Sequence, residues 1–149
     1  MCGVAGSGKS TWVKNQISNC GGIWCSRDIV RFSLIKEDEE YFSKEDLVFS
    51  TWINEIQSAI DDQEGPANIY VDATHLTPKA RDKVLDKLDL HNVELGAVNF
   101  IVPLEVCLKR NSLRSGRALV PDGIIRNMYA SFKPATAFEG FINIINITE

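Results

Sequence analysis

The sequence predicts an α/β fold in which a mostly parallel central sheet is flanked by helices. Two observations carry that expectation. Residues 3–10 read Gly-Val-Ala-Gly-Ser-Gly-Lys-Ser and open directly into a helical pattern, the arrangement of a glycine-rich loop that wraps phosphate at a helix N-terminus. Downstream, short apolar runs alternate with helical periodicities, and such strand-helix-strand units close with right-handed crossovers onto a parallel sheet. At 149 residues, 44% hydrophobic and 24% charged, the chain suits a single domain over 1–149 with one core.

From Lys9 to about Ile17 the pattern suits the helix that follows the loop, and Gly21-Gly22 ends it. Residues 22–25 read as a short strand, and Ser26-Arg27-Asp28 leads from it into a helical turn reaching Arg31. Beyond an acidic stretch, Leu47, Trp52, Ile53, Ile56 and Ile60 recur at helical intervals and predict a long helix from about Lys44 to Asp61. Gly65-Pro66 breaks the chain, and 68–72 form an apolar strand that ends in a carboxylate. Thr77-Pro78 marks a helix start, with Val84, Leu85 and Leu88 available to face a sheet. Residues 97–102 read as a buried strand, about 104–114 and 122–131 as helices, and 141–147 as a closing strand. A phosphate loop ordinarily follows a buried strand, yet only Met1 and Cys2 precede Gly3. The first strand is therefore expected to be nearly absent, either because N-terminal residues are lacking or because the strand itself is shortened.

Composition narrows the function classes. No run approaches the roughly 18 apolar residues that cross a bilayer, and the N-terminus lacks a signal-peptide pattern, so the expectation is a cytoplasmic protein without a membrane partner. Cys2, Cys20, Cys25 and Cys107 have neither zinc-site spacing nor disulfide density, and His75 and His91 are far apart; reduced, mostly buried thiols and no structural metal centre follow. The net charge of −4 does not attract nucleic acid to the molecule as a whole. Charge is uneven, however. Residues 37–46 are strongly acidic, whereas 109–133 carry Lys109, Arg110, Arg114, Arg117, Arg126 and Lys133 against Asp122 alone, so a phosphate-rich ligand should meet the second region.

Glycines let successive N–H groups turn inward around phosphate oxygens, which assigns Gly3, Ala5, Gly6, Ser7 and Gly8 to ATP binding in a P-loop NTPase kinase fold. Lys9 can reach the β- and γ-phosphates, Ser10 can ligate Mg²⁺, and Thr11 is placed for the α-phosphate. Asp72 ends a strand at the edge where parallel sheets present ligands; it could hold Mg²⁺ through water, orient a basic partner, or be a solvated turn aspartate beside Thr74. Asp28 could accept the proton of an attacking hydroxyl, or cap a helix. Arg31, three residues on, shares a helical face with it, as a phosphate-binding arginine or as half of a surface ion pair. Arg110 and Arg114 share a face of a basic segment whose Ser115-Gly116 exit suits a lid over about 108–118, closing guanidinium groups on the ATP phosphates. His75 reads as a contact at the substrate edge, and Trp12, Trp24 and Trp52 as core.

Gly-Ser-Gly-Lys-Ser-Thr-Trp at 6–12, Ser-Arg-Asp-Ile-Val-Arg at 26–31, Val-Asp-Ala-Thr-His-Leu at 71–76 and the segment 102–114 together resemble the kinase domain of phage and animal polynucleotide kinases. Arg126, Met128, Tyr129 and the tail Phe-Glu-Gly-Phe-Ile-Asn-Ile-Ile extend the resemblance over nearly the whole chain. It implies transfer of the ATP γ-phosphate to the 5′-hydroxyl of a DNA or RNA end, with a ligase acting downstream. By the same resemblance Asp28 is the general base, Arg31 holds the acceptor's neighbouring phosphate, Asp72 buttresses Arg31, and Arg110 and Arg114 are lid arginines. Ala73, Thr74 and His75 depart from the phage pattern after the strand-end aspartate, and the resemblance, which covers the kinase domain without a phosphatase domain, implies addition of a phosphate but not removal of a 3′-phosphate.

Fold alone does not choose a substrate, because the P-loop architecture also serves kinases of sugars, shikimate, antibiotics and nucleotides. A small-metabolite kinase is the first alternative, and a nucleotide-binding module without catalysis is the second. Lys9, Asp28, Arg31 and Arg114 together favour catalysis.

Overall fold

The computed structural model describes residues 1–148 and divides the chain into two units. One comprises Met1–Lys9, Thr74–Asp86 and the chain from Leu90 onward; the other comprises Ser10–Ala73 and Lys87–Asp89.

The second unit is built from α1 (Lys9–Cys20, whose first residue belongs to the first unit), β1 (Ile23–Ser26), α2 (Arg27–Leu34), α3 (Glu45–Asp61) and β2 (Ile69–Asp72). β1 and β2 pair in parallel from Ile23 opposite Ile69 to Ser26 opposite Asp72, so both strands finish together. Ser26 then caps α2, its Oγ accepting from the Ile29 N–H at 3.4 Å. Asp28 is thereby released from a capping role and stands in the first turn of α2. α3 buries Val48, Trp52, Ile53, Ile56 and Ala59, and the Trp52 indole N–H donates to the Cys25 carbonyl at 3.0 Å, tying helix to strand. Leu47, expected on this face, is exposed, and Ile60 is only half-buried. The first α3 bond, from the Val48 N–H to the Lys44 carbonyl, belongs to a helix phase that turns Val48 inward and leaves Leu47 about 100° away. Trp12 and Trp24 are likewise half-buried rather than core.

The first unit contains α4 (Pro78–Leu85), β3 (Gly96–Ile101), α5 (Leu104–Ser112), α6 (Asp122–Ser131) and β4 (Asn143–Thr148). β3 and β4 are parallel. The first strand is reduced to Cys2, whose N–H donates to Val98 and whose carbonyl accepts from Phe100, both at 2.8 Å, while the Gly3 N–H donates to Thr74. Cys2, Ala97, Ala135 and Phe141 form a core covered by Leu85, Leu95 and Phe132. Thr77 caps α4 and Pro78 opens it, as the sequence predicts. Burial of polar groups here is fully compensated at two places. The Asn99 amide donates to the Ala135 carbonyl and Asn146 Oδ1 and accepts from the Ala135 N–H, joining β3, β4 and the strap between α6 and β4. The buried Arg81 grips Glu139 through Nε at 2.6 Å and Nη2 at 2.8 Å, and its Nη1 donates to the carbonyls of His75 and Lys133.

Among the described residues no helix is long and apolar enough to cross a membrane. Cys2, Cys25 and Cys107 are buried thiols and Cys20 is exposed; burial, helped by the charge of Glu55, pushes Cys25 up to about 11.

Hydrogen bonding from Arg81 holds the Glu139 carboxyl below its ordinary 4.5. A depressed carboxylate stabilises the fold fully above the unfolded value and loses that contribution as pH falls through the folded value. Urea unfolding of the native protein and Glu139→Gln should therefore show a gap that is constant from about pH 7 to 5 and closes in more acidic solution. Arg81→Ala, which removes a buried guanidinium and leaves the partly covered Glu139 carboxylate unpaired, should lower stability by about 1–3 kcal/mol at neutral pH by the same measurement.

Candidate active site

The loop before α1 takes its shape from two glycines in the left-handed region, Gly6 at φ 80° and Gly8 at φ 98°. A Cβ on Gly6 would lie 2.3 Å from the Cys107 carbonyl oxygen, so a side chain there would force the loop off α5. Ser7 Oγ is buried without a hydrogen-bond partner, and the nearest atom to a Cβ built on Gly8 is Arg110 Nη1 at 3.7 Å. Lys9 is buried with Nζ donating to the Gly3 and Val4 carbonyls at 3.0 and 2.8 Å. An orphaned hydroxyl, an amide-lined glycine loop, an ammonium and a guanidinium at its margin fit a polyphosphate such as that of ATP.

Arg114 does not extend the face of Arg110. α5 stops at Ser112, because the buried Asn111 amide captures Val120, donating to its carbonyl at 2.7 Å and accepting from its N–H at 3.1 Å. Residues 112–119 are consequently exposed, with Arg114 in the turn and Gly116 at φ 57°. The basic segment therefore divides into Arg110 on α5, Arg114 in the turn that follows, and Arg117 in a single 3-10 turn over Gly116–Ala118.

Asp72 is buried at the end of β2, where its Oδ2 accepts from Ser10 Oγ at 3.0 Å and from the Trp24 indole at 3.2 Å. Two hard oxygens held together at the start of α1 fit Mg²⁺, which takes one or two protein oxygens and completes its shell with water and phosphate. No cluster of three or more His, Cys, Asp or Glu side chains occurs among the described residues, as such an ion requires none. Thr11 is exposed in the first turn of α1. The expectation that Asp72 buttresses Arg31 is corrected: its hydrogen bonds go to Ser10 and Trp24, and Glu45 at the start of α3 takes that role instead. Residue 45 reaches Arg31 because the chain returns from the acidic stretch directly onto α2.

Around Asp28 the second unit gathers Arg27, Arg31, Tyr41 and Glu45. Arg31 Nη1 donates to Asp28 Oδ1 and to the Tyr41 hydroxyl, each at 3.1 Å, while Nη2 is ion-paired with Glu45, which also pairs with Arg27. The Arg31 side chain is 5% exposed and that of Asp28 66%. Burial works to lower the Arg31 pKa, but hydrogen bonding to Glu45 and the surrounding negative charge raise it above its ordinary value. Tyr41 is pushed up to about 12 by burial first and by the Asp28 charge second. His75, at φ 45°, sits with Nδ1 2.9 Å from the Met1 carbonyl oxygen, a backbone tether. Sequence reasoning passed over Glu45, Tyr41 and Asn111, and read Trp24 as core when its indole instead donates to Asp72. The one available signal was an acidic residue opening a helix within reach of Ser-Arg-Asp.

Comparison with known proteins bears on this geometry. Residues 1–135 match the AAA domain family (AAA_33). Among solved structures, a sugar kinase from Janibacter sp. HTCC2649 superposes with a TM-score of 0.67 at 20% identity, over 99% of this chain and 82% of that one. A gluconokinase from Sinorhizobium meliloti 1021 superposes with a TM-score of 0.60 at 17% identity, over 99% and 79%. The fold is thus the α/β P-loop kinase fold, with parallel strands flanked by helices. With its phosphate loop, its Ser10–Asp72 pair and this family match over most of its length, the chain belongs to the AAA domain family of P-loop proteins.

Proposed function

We propose that this chain is an ATP-dependent phosphotransferase that moves the γ-phosphate to an alcohol hydroxyl on a small, polyhydroxylated acceptor. The observation that carries the acceptor class is the state of Arg31. The guanidinium beside Asp28 is already neutralised by Glu45 and Asp28, which leaves it little charge to offer a nucleic-acid phosphate. The unit that holds Asp28 has 6 Lys or Arg against 13 Asp or Glu, whereas the other has 10 against 7. A polyanion near Asp28 would work against that field; a small acceptor would not. That the similar structures include a gluconokinase and a sugar kinase supports the same class.

Each residue has a role under this reading. Lys9 exchanges the Gly3 and Val4 carbonyls for phosphate oxygens, and the loop N–H groups with Ser7 Oγ hold the remaining ones. Arg110 and Arg114 offset charge as the γ-phosphoryl transfers. Mg²⁺, held by Ser10 directly and Asp72 through water, would neutralise phosphate charge. Asp28 takes the acceptor's hydroxyl proton as the oxygen bonds to the γ-phosphorus and the bond to the ADP oxygen breaks.

A second reading, transfer to the 5′-hydroxyl of a DNA or RNA end that a ligase would then join, is favoured by one observation. Ser26-Arg27-Asp28-Ile29-Val30-Arg31 lies on one helix and its cap with Asp28 and Arg31 in contact, so an incoming phosphate could take over the Arg31 Nη1 bond from Asp28.

Labelled γ-phosphate from Mg²⁺-ATP, offered to sugars, sugar acids and 5′-hydroxyl DNA and RNA oligonucleotides, separates the two. Label on a sugar-class acceptor is expected; label only on oligonucleotide ends would replace this reading with the second. Lys9→Ala should abolish transfer to every acceptor. Asp28→Ala should lower kcat by about 10²–10⁴-fold with little change in KM for ATP. Asp72→Asn should raise the Mg²⁺ concentration for half-maximal activity by about 10–100-fold, read from initial rates across a Mg²⁺ series.

A further inference from the structure

An exposed aspartate is a poor base unless something holds it. The Asp28 side chain, 66% exposed on the first turn of α2, would otherwise sample several rotamers, and proton transfer depends on alignment with the incoming hydroxyl. One of its oxygens is held nonetheless. The Tyr41 hydroxyl donates to Oδ1 at 2.9 Å and Arg31 Nη1 donates to the same oxygen at 3.1 Å, while Oδ2 takes no hydrogen bond among the described residues.

We infer that Tyr41 is a positioning residue for phosphoryl transfer, pinning Asp28 Oδ1 so that Oδ2 faces the acceptor's proton. The inference rests on the assignment of Asp28 as the base. Arg31 cannot do the work by itself, because Nη1 is shared between Asp28 and the Tyr41 oxygen and Nη2 is drawn to Glu45. The Tyr41 ring has little freedom: it meets Phe32 edge-on at 6.2 Å and Phe42 at 4.9 Å, and the Arg31 guanidinium lies 4.4 Å from its centroid. A rigid ring carrying a short donor fixes a carboxylate at lower entropic cost than a second flexible side chain could. Its hydroxyl titrates only near 12, so it remains a donor throughout the ordinary working range.

Tyr41→Phe removes the donor and keeps the ring. Rates of label transfer from Mg²⁺-ATP would be measured for the native protein, Tyr41→Phe, Asp28→Ala and the double variant, with the acceptors above and with water. Thermal midpoints would be recorded beside them. The expected result is a fall in kcat of about tenfold or more for Tyr41→Phe, KM for ATP within about twofold, and a thermal midpoint close to native. The double variant should be no slower than Asp28→Ala, because a positioning group has nothing to act on once the base is gone. Native kcat in Tyr41→Phe, or losses that multiply in the double variant, would overturn this inference while Asp28 stayed the base. Full activity in Asp28→Ala, or no transfer by the native protein to any acceptor or to water, would overturn the kinase reading and this inference with it.

Discussion

A guanidinium that is 95% covered must be neutralised where it stands, and Arg31 sets that condition for the whole candidate acceptor region. Its position on α2 follows from Ser26, which ends β1 and caps the helix in a single residue. Once the charge is buried there, a carboxylate has to come to it, and the chain supplies Glu45 in the first turn of α3. Glu45 draws in Arg27 as well, whose guanidinium lies over Phe49 and Trp52, so the ion pairs and the apolar face of α3 are secured together. The loop between α2 and α3 is then committed to bringing Tyr41 and Phe42 against the Arg31 plane. Asp28 is exposed, yet its Oδ1 is held by Arg31 and Tyr41, which Glu45 and Phe42 hold in turn.

The other unit answers a similar demand with different groups. Arg81 satisfies four hydrogen bonds on Glu139, His75 and Lys133, and Asn99 satisfies three on Ala135 and Asn146. Both side chains hold the strap between α6 and β4, supplying partners to the Lys133 carbonyl and to the N–H and carbonyl of the buried Ala135. Cys2, the residue before the phosphate loop, packs in the small core beneath that strap, so the loop's first residues are anchored by the same polar groups.

The two units differ in sign as well as in construction. A surplus of basic side chains accompanies the glycine loop and its arginines, and a surplus of acidic ones accompanies Asp28. Phosphate chemistry benefits from the first field, and a hydroxyl that must lose a proton to a carboxylate is compatible with the second. Burying Arg31 against Glu45 commits much of its charge within the fold without any change in the Ser-Arg-Asp-Ile-Val-Arg sequence itself.

Local chemistry was legible along the chain: the glycine loop, the Thr77-Pro78 start, the strand ending in Asp72 and the Asp28–Arg31 spacing each depend on residues within a few positions of one another. Element types and most boundaries follow from the same short-range rules, because periodicity and capping are properties of neighbouring residues. Three matters could not be read that way. Glu45 rather than Asp72 became the partner of Arg31, Asn111 ended α5 before Arg114, and Tyr41 came to rest on Asp28, each through a contact spanning 9 to 14 residues of chain. Such contacts depend on where an intervening loop returns, which periodicity does not encode. The sequence by itself therefore determined which groups could bind phosphate and accept a proton; the tertiary structure decided which charges remained available, because a buried ion is neutralised by whichever partner the returning backbone brings within reach.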